Sequence, residues 1–386
     1  MKVNAAPSRQ MTVLRSLHFA SYATMVLIMT YFPLYFYSLG FSKLQIGAIY
    51  SVGPVLSIVS NLLVGILSDK TKSLRRMVSL LYLGQILALA LLLPQREFGI
   101  MSAVMALFYL FQTPINSMLD SLTLLAADRM KRSFPSIRMF GSLGYAISAV
   151  IFGYLLKTYG SDLTISLALG TVTASLVFSL FVADYQASMR KFEFRALWAV
   201  LRRRETFGFF VFIALVSVSH RMNEGFLSVA MRDNGAPDSV IGIASLASSA
   251  SEIPVFFLLS KFGHRFREFP LLAVACFMYV VRMLLLSVTT EPWGFVAIQA
   301  MHSVTFGIFY ITALRCLQSL IPEEYRASGQ AVFGVVWTGI AGLLAGTVGG
   351  WLYDAFGLAA LFRAGAVFAL LGCAGFLLFH FRRTAP

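Results

Sequence analysis

Charge is scarce in this sequence. Asp, Glu, Lys and Arg make up 12% of its 386 residues, about half the roughly 25% usual in a soluble domain, which excludes an ordinary water-facing globular surface. Cysteine is scarcer still. Cys276, Cys316 and Cys373 all lie in apolar stretches at no ligand spacing, which argues against a disulfide framework or a zinc site. No H-E-x-x-H, G-x-S-x-G or G-x-x-x-x-G-K run occurs, so nothing indicates catalysis, a metal, a phosphate cradle or another cofactor. Long polar segments are missing too. The longest, residues 184–205, is too short for a signalling domain, which disfavours a non-transporting membrane receptor.

What is plentiful is apolar: 58% of residues are hydrophobic and the mean hydropathy is +0.77. The apolar residues fall into runs of roughly 18 to 25, each long enough at about 1.5 Å per residue to cross a hydrocarbon core of about 30 Å. The runs lack strand-like alternation, so they predict helices, not a barrel. Twelve spans are expected, at 16–40, 44–68, 77–94, 100–127, 139–158, 163–183, 206–231, 240–260, 269–289, 294–320, 329–352 and 359–380. Lys2, Arg9 and Arg15 before the first run give the charge order of a signal peptide, but the run is too long and lacks a clear cleavage site. It reads as the first retained helix.

A net charge of +14 invites a nucleic-acid reading until the cations are placed. With both termini on one face, 23 of the 31 Lys and Arg fall on that face, and Arg221, Arg282 and Arg315 fall inside spans. The positive-inside rule makes that face cytoplasmic, so the basic excess reports topology in a bacterial inner membrane. The expected partners are a small-molecule substrate, protons and the surrounding lipid, with the chain a monomer. Residues 184–205, rich in Arg and Lys, divide the chain into a six-helix bundle at 1–183 and another at 206–386. A solvated loop on anionic headgroups accounts for that linker.

The halves repeat weakly. Gly65-Ile-Leu-Ser-Asp69-Lys70-Thr-Lys72-Ser-Leu-Arg75-Arg76 follows the second span, and a shorter basic run from Lys261 to Arg267 follows the eighth. The first stretch resembles the signature loop of the major facilitator superfamily. That resemblance implies the major facilitator fold, an all-α membrane protein with twelve transmembrane helices in two six-helix bundles, and a gate latch at Gly65, Asp69 and Arg75. A plain positive-inside loop explains the cations but not the Gly65 and Asp69 spacing.

A narrower resemblance covers most of the chain. Tyr31-Phe-Pro33-Leu-Tyr35, and Arg138-Met-Phe-Gly141-Ser-Leu-Gly144-Tyr145, resemble stretches of the lactose-permease group. The likeness puts a substrate-binding guanidinium at Arg138, its carboxylate at Asp120, an aromatic platform at Tyr145 and a coupling cation at Arg282. Gln299-Ala-Met-His302-Ser-Val-Thr305-Phe-Gly307 is closer to the phenylpropionate-permease branch, as are Ser219-His220 and Ser251-Glu252. Relative to the lactose-permease group, Gln299 replaces a Lys and Thr305 replaces the proton-carrying carboxylate, so neither lactose specificity nor that proton site carries over.

Ionised groups in mid-membrane are costly and persist where they pair or line water. Asp120 and Arg138, on successive helices, can pair and also meet substrate. Arg221 and Glu224, three apart, share a helix face, which suits either a structural pair or a cavity role. Glu252 has no partner in its own helix; desolvation disfavours its charged form, the property a proton carrier needs, unless Arg282 or His220 fixes it. His302 either titrates or donates to substrate, and Gln299, one turn earlier, shares its face. Asn116, Gln112, Tyr31 and Tyr35 are candidate cavity lining, and Gly339, Gly342, Gly346, Gly349 and Gly350 suit close helix packing. Arg315 is expected to snorkel to the interface. With no nucleotide loop, an ion or substrate gradient has to drive transport. The leading reading is proton symport of a small organic solute, namely an aromatic or other monocarboxylate, a sugar or a nucleoside. Efflux by proton antiport is the rival, disfavoured because the fifth span lacks a G-x-x-x-G-P pattern.

Overall fold

The computed structural model describes residues 7–71, 73–184, 202–262, 265–321 and 326–384. At a few helical positions within them, Gly65 and Asp69 included, only the backbone is described. Among the described residues all regular structure is helical, as a chain that must satisfy its own backbone in lipid requires. We number the helices α1 (7–38), α2 (Lys43–Thr71), α3 (Leu74–Leu92), α4 (Phe98–Arg129), α5 (Pro135–Tyr159), α6 (Leu163–Phe181), α7 (Arg204–Asp233), α8 (Asp238–Phe262), α9 (Glu268–Val288) and α10 (Pro292–Leu320). Among the described residues eleven stretches are long and apolar enough to cross a membrane, and the last, Val332–Phe381, has 50 residues. At about 1.5 Å per residue it is about 75 Å long, more than twice the hydrocarbon thickness. Gly357, with φ 80°, breaks it. Dividing there gives α11 (326–356) and α12 (358–384), the expected pair of spans.

Helix ends follow local chemistry. Pro135 occupies the first turn of α5, where its missing N–H costs nothing, and Gly160, with φ 86°, ends that helix. Ser73 caps α3 by accepting from the Arg76 amide at 3.2 Å. Among the described residues π-helical turns interrupt the regular helices at Leu27–Tyr31 in α1, Ser303–Gly307 in α10 and Val335–Ile340 in α11. Such turns concentrate at functional positions.

The chain forms two compact units. The first comprises Met1–Phe41, Val55–Arg190 and Pro237–Leu246; the second comprises Ser42–Pro54, Lys191–Ala236 and Ala247–Pro386. The first unit includes the opening turns of α8 and the second those of α2, which changes membership at Pro54. The expected linker lies mostly outside the described residues.

In the first unit α1 packs on α5 and α6. Close approach depends on missing side chains: a Cβ at Gly144 would strike the Phe19 backbone, and one at Gly242 the Ala149 carbonyl. In the second unit α7 and α9 pack on Ala341–Thr384, the end of α11 together with α12. The start of α2 also belongs here. Gly47 lies against Gly346, and Asp354 accepts from the Lys43 and Leu44 amides at 2.9 and 2.8 Å, an anion at a helix N-terminus.

Candidate functional site

The first unit holds a half-open ion pair. Arg138, in the first turn of α5, donates from Nε to both oxygens of Asp120 on α4, at 3.2 and 3.4 Å. Its guanidinium lies 5.7 Å from the centre of the Tyr22 ring, and Tyr22 is packed on Gly141. The Gly141 and Gly144 spacing thus brings α1 close enough for Tyr22 to carry the arginine. The pair keeps 42% and 38% of its side-chain surface exposed, so a solute can reach it. Asn116 lies one turn before Asp120, and Tyr145 two turns beyond Arg138; both are half-buried.

Tyr31 and Tyr35 do not line a cavity. Tyr31 is fully buried and donates its hydroxyl to the Ala149 carbonyl, and Tyr35 is buried with its hydroxyl accepting from Arg96 at 2.9 Å. The π turn at Leu27–Tyr31 explains the misreading: one extra residue rotates the following side chains by about 100° from their place on a regular helix. Two residues passed over by the sequence reading belong beside the pair. Tyr22 is one. His18, buried on α1, is the other, with Nε2 2.9 Å from Thr123 Oγ1 one turn after Asp120. A lone imidazole in an apolar span was the available signal.

The second unit holds a chain of hydrogen bonds around Arg282, whose side chain is wholly buried. Its guanidinium meets Gln299 Oε1 at 2.5 Å, Thr305 Oγ1 at 3.0 Å and His302 Nδ1 at 3.1 Å. The other imidazole nitrogen, Nε2, is 2.9 Å from Glu252 Oε1. Glu252, expected to have no partner in its own helix unless Arg282 or His220 fixed it, meets His302 and through it reaches Arg282. Guanidinium has donors and no acceptor, so Nδ1 of His302 must be the bare nitrogen and Nε2 carries the hydrogen toward Glu252. Arginine thereby fixes the tautomer. Gln299 and His302, three apart, share a helix face and both reach Arg282, and the π turn that follows carries Thr305 to the same guanidinium.

Aromatic rings wall this chain. Phe306 stacks on His302 and on His220, each at 5.0 Å, and Trp337 lies 5.1 Å from His220. Tyr279 OH is 3.1 Å from His220 Nδ1. Phe306, Trp337 and Tyr279 were not anticipated, because single aromatics are common in apolar spans and only folding gathers them. Arg221 pairs with Glu224 at 2.5 Å and also donates to Thr338 Oγ1 at 3.1 Å, so that ion pair is tied into α11. Arg282 Nε and Gln299 Nε2 are buried donors without a partner among the described residues.

Two remaining expectations concern the ends of helices. Gly65 and Asp69 of the latch lie, as side chains, outside the described residues. The Arg75 amide is 3.4 Å from Asp184 Oδ1, and Ser73 Oγ donates to Asp184 Oδ2 at 2.5 Å, joining the start of α3 to the segment after α6. Arg315 pairs with Glu268 at 3.2 Å.

Comparison with known proteins agrees with this architecture. The chain is 24% identical over 361 residues to the maltose permease of Geobacillus stearothermophilus, covering 89% of this chain and 88% of that protein. It is 24% identical over 352 residues to a probable 3-phenylpropionic acid transporter of Escherichia coli (strain K12), covering 88% and 89%. The crystal structure of the nucleoside transporter NupG superposes with a TM-score of 0.85 at 17% identity, covering 98% of this chain and 100% of that one. The model of the MFS_1 like family matches residues 11–364, and the chain is accordingly a member of that family, a multi-pass membrane transporter of the major facilitator superfamily.

Proposed function

We propose that this protein is a proton-coupled symporter, working by alternating access, that carries a small organic solute across a bacterial inner membrane with both termini cytoplasmic. The observation that carries the reading is the hydrogen-bond chain Glu252, His302, Arg282. With His302 held in its Nε2–H form, Glu252 is the group in that chain able to take up and release a proton. Protonating it leaves the buried Arg282 cation without a carboxylate at the end of its chain, and an uncompensated buried charge is costly. A carboxylate on the solute restores neutrality, so proton and solute favour one another's binding. This logic favours a monocarboxylate over a sugar or nucleoside, and the rings of Phe306 and Trp337 favour an aromatic one.

In this reading Asp120, Arg138, Tyr145 and Asn116, and likewise Gln299 and His302, are substrate-binding residues. Glu252, Arg282 and His302 couple it to the proton, with Glu224 and Arg221 as a second ion pair. Gly65, Asp69 and Arg75 form the latch. The names of the similar proteins, which concern maltose, 3-phenylpropionic acid and nucleosides, supply the panel for the test. Proteoliposomes with an alkaline lumen are offered each compound. Accumulation of 3-phenylpropionate that a protonophore abolishes supports symport; accumulation only with the opposite gradient indicates antiport, and no movement under either refutes coupling to protons.

A further inference from the structure

In the first unit, α5 and α6 both pack along α1 but scarcely against one another. A cavity of about 590 Å³ lies in the gap. Its two ends are fixed by polar contacts. At one, the Gln10 side chain donates to the Phe181 carbonyl at 3.1 Å and accepts from the Ala183 amide at 2.8 Å. At the other, Thr24 donates to Thr171 at 2.8 Å. Lining residues on α1 run from Thr12 to Ala23, about 17 Å at 1.5 Å per residue. That is close to one leaflet of a hydrocarbon core about 30 Å thick.

The walls are apolar, with Phe19, Phe140, Phe152 and Phe178 foremost, and Arg15 is the one charged residue in the lining. Its guanidinium lies 4.8 Å from the centre of the Phe140 ring, and its Nε is buried without a partner among the described residues. A lone cation near one end of a leaflet-long apolar groove matches an amphiphile with an anionic head. Asp120, Arg138 and Tyr145 take no part in the lining, so the groove is separate from the polar solute contacts.

We propose that α1, α5 and α6 form a binding site for an anionic phospholipid, with an acyl chain lying along the phenylalanine walls and the headgroup phosphate at Arg15. Phosphate is a bidentate partner for guanidinium, and Phe140 holds that guanidinium by a cation–π contact. The carboxylate of a soluble metabolite would meet the cation but leave the apolar length of the groove unused.

The test uses the full chain purified in detergent and offered dioleoyl phosphatidylglycerol, dioleoyl phosphatidylcholine or inorganic phosphate, with retained lipid counted by native mass spectrometry. Phosphatidylglycerol is expected to be retained at least about tenfold better than phosphatidylcholine, whose trimethylammonium group offsets the attraction of the same phosphate to the Arg15 guanidinium. Arg15→Gln should erase that preference, whereas Arg15→Lys, which keeps the charge, should retain most of it. Gly170→Leu fills the groove from a position where an added Cβ meets open space; it should lower retention of both lipids while the unfolding temperature stays near wild type. Equal retention of the two lipids by the wild type overturns the proposal, as does an unchanged preference in Arg15→Gln or undiminished retention in Gly170→Leu. Phosphate displacing phosphatidylglycerol and stabilising the protein as well as the lipid does would also overturn it, in favour of a soluble anion.

Discussion

Replacing Arg138 by Lys separates the charge of the side chain from its shape. Arg138 holds Asp120 through Nε, and in the proposed role its terminal nitrogens grip the solute. A lysine offers a single ammonium for both tasks and lacks the planar fork. A hydrogen bond to a charged group is worth about 1.5–3 kcal/mol, so losing two weakens solute binding by at least about 3 kcal/mol, more than about 100-fold in Kd. Folding should hardly change. The ion pair is more than one-third exposed on both sides, and such pairs contribute about 1 kcal/mol at most. The expected outcome is therefore lost equilibrium binding of 3-phenylpropionate with an unfolding temperature close to wild type. Wild-type affinity in the Lys variant would refute the assignment of Arg138 to the solute.

Tyr31→Phe removes the hydroxyl bound to the Ala149 carbonyl and should cost about 0.5–1.5 kcal/mol of stability with solute affinity unchanged; a thermal melt beside a binding isotherm checks both. Gly144→Ala drives a methyl into the Phe19 backbone, and overpacking of this kind costs about 1–3 kcal/mol, visible as a lower unfolding temperature with the α1 and α5 seam displaced. Arg282→Met leaves the buried acceptors Gln299 Oε1 and His302 Nδ1 without their donor, each worth about 1–3 kcal/mol when unsatisfied. It should lower the unfolding temperature further than Tyr31→Phe does.

Much of this structure was legible because lipid imposes a length on every span. The apolar runs, the basic turns and Gly357 are local features, and each corresponds to a helix or a helix end in the fold. Asp120 and Arg138 were readable as a pair for a similar reason: they lie on successive helices joined by a short turn. Glu252 and His302 were harder, since they are 50 residues apart and meet only once α8 and α10 have packed. The faces of α1 and α10 were the least legible. The π turns there break the 3.6-residue period from which faces are read: one lies at Tyr31, which is buried, and the other adds Thr305 to the face that Gln299 and His302 already share on Arg282.

The central claim is that Glu252 carries the coupled proton, and Glu252→Gln isolates it. An amide mimics the permanently protonated carboxyl and still accepts from His302 Nε2, so the hydrogen-bond chain to Arg282 persists. Exchange of solute needs no proton release, whereas accumulation against a gradient does. In proteoliposomes the variant should therefore catalyse 3-phenylpropionate counterflow at a rate near wild type and fail to accumulate it under an imposed pH gradient. Uphill uptake retained by Glu252→Gln would contradict the account and move the proton to Asp120, Glu224 or His302.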